Sequence, residues 1–253
     1  NDQLGIVLSM LETVSNLDES IFIYISDHGL KGKWSVRETG LKIPMVIRWP
    51  NVIRPNTKND KLVSIVDILP TIVEVSGGEK NKSLDGKSLI PLLQNSNISF
   101  RDYIFGIATR QNIQKCYVFP SRSVRDKRYK YIINFNSKEV VKDNFVLNKY
   151  VNYFIKRGAN EFNEVPYEEL YDLEADPYEH VNLAKEESFL LIKQKLSNVL
   201  NDWMISQNDI LVQYKMPIIK PTLHPLDRPS KWNNPKKEYQ FRLLSNDYIP
   251  SHY

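Results

Sequence analysis

A single cysteine, Cys116, in 253 residues excludes a disulfide within the chain. It leaves the compartment open, because an exported protein can also lack disulfides. Long apolar runs are missing too, and none approaches the roughly 18–20 residues of a membrane span. Nor does one sign of charge dominate: 34 Lys and Arg against 30 Asp and Glu leave a net charge of +4. No general affinity for nucleic acid or for membrane surfaces follows from such a balance. A signal-peptide pattern is absent from the residues given. What the chain does have is 42% apolar residues, enough for a real core in one large domain or two small ones.

The stretch Ile21 to Pro50 concentrates the chemistry. Ile21-Phe22-Ile23-Tyr24-Ile25 is apolar on both faces, the pattern expected of a strand buried inside a parallel sheet. It stops at Ser26-Asp27-His28-Gly29. Ligand crevices in open α/β sheets lie beyond the carboxyl ends of strands, so Asp27 and His28 are the first candidates for a site. A carboxylate and a neutral imidazole side by side in a turn can both reach one divalent cation. Taken alone, the triplet is better read as a turn-capping aspartate beside a hydrogen-bonded loop histidine, since such tripeptides are common.

The residues that follow narrow this choice. Gly32-Lys33-Trp34-Ser35-Val36-Arg37-Glu38-Thr39-Gly40-Leu41-Lys42-Ile43-Pro44 leads into Met45 to Trp49 and Pro50. This run resembles the middle of the type I sulfatases, which write a strand, S-D-(H/N)-G, then G-K-x-x-x-x-x-x-G-(hydrophobic)-(R/K)-x-P and a strand ending in W-P. Order and spacing agree, with Lys33 eleven residues before Pro44. The resemblance implies that Asp27 and His28 are two ligands of a divalent metal, in this family calcium. It implies that Lys33 is the catalytic lysine, touching both the sulfate and the catalytic hydroxyl and so binding substrate as well.

Taken in order, Leu4, Val7, Leu8, Leu11 and Val14 fall at helical spacing, predicting an amphipathic helix over 2–15 that packs on the sheet. A both-sides-buried strand so early has few parallel neighbours in this sequence. An N-terminal half of the same enzyme is therefore expected as a partner, and the resemblance places the formylglycine nucleophile there. Beyond Trp49, Pro70 suits the first turn of a helix that Gly77-Gly78 ends. Asp67 is expected to be a structural cap. Asp67-Ile68-Leu69-Pro70-Thr71 and the turn Leu84-Asp85-Gly86-Lys87-Ser88-Leu89 both follow the sulfatase pattern.

From about Ser99 the pattern changes to shorter strands. Tyr103 to Ile107, the hairpin of Ser123–Arg125 and Tyr129–Phe135, and Glu169 to Leu173 are expected strands. A helix carrying Phe189, Ile192, Leu196, Val199, Leu200 and Trp203 on one face follows. Arg122, Arg125, Lys127, Arg128 and Lys130 read as a solvated hairpin, because alternate strand residues face opposite sides. The proline-rich stretch from Gln207 is expected to run extended, docked by Trp232, Tyr239 and Phe241. Cys116 has three residues between it and Pro120 where the formylglycine motif C-x-P-S-R has one, so it reads as an ordinary small apolar residue.

The expected fold class is thus α/β: residues 1–98 form the C-terminal part of an alkaline-phosphatase-like sulfatase domain, and 99–206 a small antiparallel sheet with a helix. Residues 207–253 form the tail. The resemblance looks closest to the heparan N-sulfatase branch, through Asp27-His28-Gly29-Leu30-Lys31-Gly32-Lys33-Trp34-Ser35 and Asp102 to Arg110. It implies a sulfated saccharide as substrate, a binding role for Arg110, and a periplasmic, secreted or lysosome-like compartment. A surface arginine at a strand end is the other reading of Arg110. Two alternatives stand beside a sulfatase: a phosphodiesterase or phosphatase of the same superfamily, and a non-catalytic saccharide-binding half.

Overall fold

A computed structural model describes residues 2–14, 16–30, 35–95, 97–108, 120–135, 166–213, 218–219 and 248–249. The chain divides into two compact units. The first comprises Asn1–Lys33 and Glu38–Ile104, the second Trp34–Arg37 and Phe105–Tyr253.

In the first unit, the helix α1 spans Asp2–Val14, as the apolar spacing predicts, but buries no residue. β1 (Phe22–Ile25) pairs with β2 (Met45–Arg48), and the register runs Phe22 to Arg48 and Ile25 to Met45. That pairing is antiparallel, where the apolar run alone led to an expectation of parallel neighbours. The two-residue alternation of intermediate and exposed positions along β2 belongs to a strand covered on one face only.

After the short helix α2 (Glu38–Leu41) and β2, a 3-10 turn at Ile65–Asp67 opens α3 (Ile68–Val75). Asp67 is fully buried and acts as the hub of this part of the chain. Its carboxylate accepts the Ser64 amide and the Lys87 amide, each at 2.8 Å. It also accepts the Arg101 guanidinium, through Nε at 3.1 Å and through Nη2. Thr71 donates to the Asp67 carbonyl and accepts the Leu89 amide. The turn around Gly86 is thereby fastened to the start of α3. A Cβ on Gly86 would sit 2.6 Å from the Val66 carbonyl carbon, so only glycine permits the approach. The chain turns away from α3 at Gly77, and α4 (Ile90–Gln94) follows with proline in its first turn.

The second unit holds a four-stranded sheet in the order β3 (Ile104–Ala108), β4 (Ser121–Arg125), β5 (Tyr129–Asn134), β6 (Glu168–Asp172). The β4–β5 hairpin turns at Asp126–Arg128, where the Asp126 side chain accepts the amides of Arg128 and Tyr129. β5 and β6 are antiparallel, and Tyr131, Ile132 and Leu170 are almost completely buried. α5 (Leu190–Ser206) buries Leu196, Leu200 and Met204, while Trp203 stacks on Phe105 at 4.4 Å.

Two charges of the hairpin depart from the expected solvated face. Arg122 is buried against Asp209, with Nη2 to Oδ1 at 3.1 Å, and Lys130 is buried against Glu179 at 3.1 Å. Their acidic partners lie 87 and 49 residues further on, in turns that only the tertiary fold brings back. Within the proline-rich stretch, Ile210–Gln213 form a 3-10 turn with Leu211 buried. Trp232, Tyr239, Phe241 and Cys116 lie outside the described residues.

Candidate active site

The turn after β1 is assembled by backbone bonds at both ends. Ser26 Oγ donates to the His28 carbonyl at 2.8 Å, and the Gly29 amide donates to the Gly40 carbonyl at 2.9 Å. Gly29 is buried, and a Cβ there would lie 2.9 Å from the Thr39 carbonyl carbon and 3.1 Å from the Lys42 carbonyl oxygen. Close approach between the Asp27-His28 loop and α2 therefore requires glycine.

This turn holds the two candidate metal ligands face to face. His28 Nδ1 lies 2.7 Å from the Gly29 carbonyl oxygen. A carbonyl can only accept, so the proton sits on Nδ1 and the lone pair on Nε2. That Nε2 is 3.4 Å from Asp27 Oδ2. Two donors each about 2.3–2.6 Å from one cation can stand at that separation, so the pair fits two ligands of a divalent ion. The Asp27 side chain is 78% exposed, open to a ligand rather than satisfied inside the protein. Among the described residues no group of three or more His, Cys, Asp or Glu gathers to complete such a site. Lys33 and Arg110 lie outside the described residues.

Past Lys33, the chain enters the second unit and is held there by Arg37. The Arg37 guanidinium pairs with Glu169, and Nη1 donates to Tyr171 Oη at 3.0 Å and to the Glu179 carbonyl at 3.2 Å. Its Cζ lies 5.1 Å from the Tyr171 ring centre. Burial alone would lower the Arg37 pKa, but the charge of Glu169, with Tyr171 and Glu179 behind it, raises it. Burial pushes the Tyr171 hydroxyl up, and the Glu169 charge pushes it further, so it stays protonated and donates to Glu169. Glu169 also accepts Asn134 Nδ2 at 2.6 Å. Val36, beside Arg37, is buried with Ile132 and Tyr171. Sequence reasoning passed over this cluster. The one signal was the two-residue period of β6, which puts Glu169 and Tyr171 on one face of the strand.

Comparison with known proteins places these features in a family. Residues 26–149 match the family model described as N-sulphoglucosamine sulphohydrolase, C-terminal. The chain is 46% identical over 254 aligned residues to an ulvan-active sulfatase of Formosa agariphila, covering 98% of this chain and 51% of that protein. The chain belongs to the type I, alkaline-phosphatase-like sulfatases. Human N-sulphoglucosamine sulphohydrolase is a more distant relative, 24% identical over 89% of the chain and 49% of its own length. Among solved structures, a protein in complex with its substrate D-glucosamine-2-N,6-O-disulfate superposes with a TM-score of 0.64 at 21% identity, over 83% of this chain and 39% of that one. The fold is accordingly the C-terminal part of the alkaline-phosphatase-like sulfatase domain with its small antiparallel sheet and helix. The chain spans about half the length of the two curated relatives.

Proposed function

We propose that this chain supplies the metal-binding and lysine-bearing part of a sulfatase that hydrolyses the sulfate of a sulfated saccharide. The observation that carries the reading is the facing pair Asp27 Oδ2 and His28 Nε2, set in a sequence alike along almost its whole length to an ulvan-active sulfatase. A hard divalent ion takes six or more ligands, and calcium is the family's usual choice. The remaining donors, and a formylglycine nucleophile, would come from the part of the relatives' length that this chain does not span. When bound, the cation offsets charge on the sulfate oxygens as a Lewis acid.

The chain's own residues do the rest. Asp27 and His28 hold the ion, with the Gly29 carbonyl fixing the imidazole so that Nε2 faces the Asp27 carboxylate. Lys33 places an ammonium against a sulfate oxygen, where charge builds in the transition state. Arg110 contacts the anionic saccharide. A sulfated polysaccharide is the favoured substrate over a free N-sulfated glucosamine, on the greater likeness to the ulvan-active relative than to the human sulphohydrolase. Such a substrate suits a secreted or periplasmic enzyme.

The test uses the full-length enzyme that carries this chain, assayed on a sulfated polysaccharide, an aryl sulfate and an aryl phosphate. Lys33→Ala is expected to lower sulfate turnover about a hundredfold, as for the loss of one electrostatic stabiliser, and Lys31→Ala to do much less. Asp27→Ala and His28→Ala are expected to lower bound metal. Parental turnover in Lys33→Ala, undiminished metal in both ligand variants, or a preference for the phosphate ester would each overturn the reading.

A further inference from the structure

Asparagine followed two residues later by serine or threonine, with no proline between, occurs twice in the chain, at Asn81-Lys82-Ser83 and Asn97-Ile98-Ser99. Such a triplet is the acceptor pattern for an N-linked glycan. All three residues of the first are exposed, in the loop between α3 and α4. There the Asn81 carboxamide oxygen accepts two bonds from Ser83, from the amide at 2.9 Å and from the hydroxyl at 2.7 Å. The Leu84 amide donates to the Asn81 carbonyl at 3.3 Å and closes the turn. Every partner lies within three residues of Asn81, so the turn is written locally and needs no distant element to form. At the second triplet the geometry differs. The Asn97 amide donates to Asn95 Oδ1 at 3.1 Å, and among the described residues Ser99 gives no bond to the Asn97 side chain.

We propose that Asn81 is a glycan attachment site, accepting an oligosaccharide on Nδ2 from a glycosyl diphospholipid donor. The inference rests on the exported location that goes with the proposed function, because such donors serve chains that cross a membrane. The turn suits the chemistry. A carboxamide nitrogen is a poor nucleophile, since its lone pair is shared with the carbonyl as in a peptide bond. A hydroxyl donating to Oδ1 stabilises negative charge on that oxygen, and with it the form in which Nδ2 has given up a proton. Both bonds of the Asn81 side chain use Oδ1, which leaves Nδ2 for the donor. In the transfer, Nδ2 gives a proton to a base of the transferase and its electron pair forms the bond to the anomeric carbon. The bond from that carbon to the diphosphate oxygen breaks, and the diphospholipid leaves with the pair.

The test secretes the full-length enzyme that carries this chain from a eukaryotic cell and maps its peptides by mass spectrometry. Treatment in heavy-oxygen water with an amidase that removes N-glycans marks each asparagine that carried one. The expected result is a mark at Asn81 on most molecules and at Asn97 on few. Asn81→Gln and Ser83→Ala should each remove one glycan from the intact mass and leave sulfate turnover at the parental level. Ser83→Thr, which keeps the hydroxyl, should retain the glycan. An unmodified Asn81 would overturn the proposal, and so would a glycan that persisted in Ser83→Ala. Heavier occupancy of Asn97 than of Asn81 would overturn the part assigned to the turn. The mass is read without reference to activity, so a glycosylated enzyme that hydrolysed no sulfate ester would overturn the proposed function and leave this site standing.

Discussion

Asp67 shows how one carboxylate can organise a whole segment. It is removed from water, yet two backbone amides and the Arg101 guanidinium surround it. Asp67→Ala would leave Arg101, whose side chain is 13% exposed, without its counter-charge and both amides without an acceptor. Breaking such a pair costs about 3–5 kcal/mol, so chemical unfolding should show the first unit lost at much lower urea. Acid sensitivity in the second unit has a comparable origin. Burial pushes the Asp209 pKa up, but the hydrogen bond from Arg122, the Leu211 amide and the Arg122 charge together hold it below the usual value. The Asp172 pKa is lowered chiefly by the hydrogen bond from Arg128. Stabilisation by a depressed carboxylate is complete above the unfolded value of about 4 and is lost as pH falls through the folded one. Thermal melts should therefore be flat from neutral pH to about 5 and fall below about 4. Asp209→Asn should weaken that fall, and an unchanged acid limb would count against the Arg122–Asp209 clasp.

Elements written in local patterns were legible in the sequence, and those set by distant partners were not. The 2–14 helix, the β4–β5 hairpin and the amphipathic α5 follow from spacing alone. The antiparallel partner of β1 did not, because an apolar run says that a strand is covered without saying by what. Arg122 and Lys130 read as surface charges for a similar reason: their acids arrive from turns far along the chain. At the candidate site, Asp27 and His28 were visible from their place after a strand, whereas Arg37 needed Glu169, 132 residues away, to become meaningful. Glycines carry a further message at this scale. Gly86→Ala would press a methyl into the Val66 carbonyl and 2.9 Å from Pro70 Cγ, both parts of α3's entry. Overpacking of this kind costs about 1–3 kcal/mol; a melting temperature equal to the parent's would show that the turn can shift. Gly29→Ala would instead strike where the Asp27-His28 loop meets α2, so its expected signature is weakened metal binding rather than lost fold.

At the scale of the molecule, the two units differ in how they are covered. The second buries most of β5 and its neighbours but leaves Leu191, Tyr178 and Val181 exposed at its surface, while the first leaves Ile6, Val7, Met10, Val14, Val46, Leu69 and Ile72 about half exposed or more. With only two candidate metal donors converging among the described residues, residues 1–253 purified without other polypeptide should bind a hydrophobic dye such as ANS and hydrolyse no sulfate ester. Turnover that vanished on Cys116→Ser would refute both the incomplete site and the ordinary character of that cysteine. The membership of Ser35–Arg37 in the second unit carries a practical consequence for anyone cutting the protein apart. That unit is discontinuous in sequence, so no single cleavage can excise it whole. A fragment beginning at Phe105 would lack Val36 from its core and leave Glu169 a buried anion with its cation gone. Limited proteolysis between the units should accordingly yield pieces that stay associated until denaturant is added, and a recombinant 105–253 should be markedly less stable than the same residues in the intact chain.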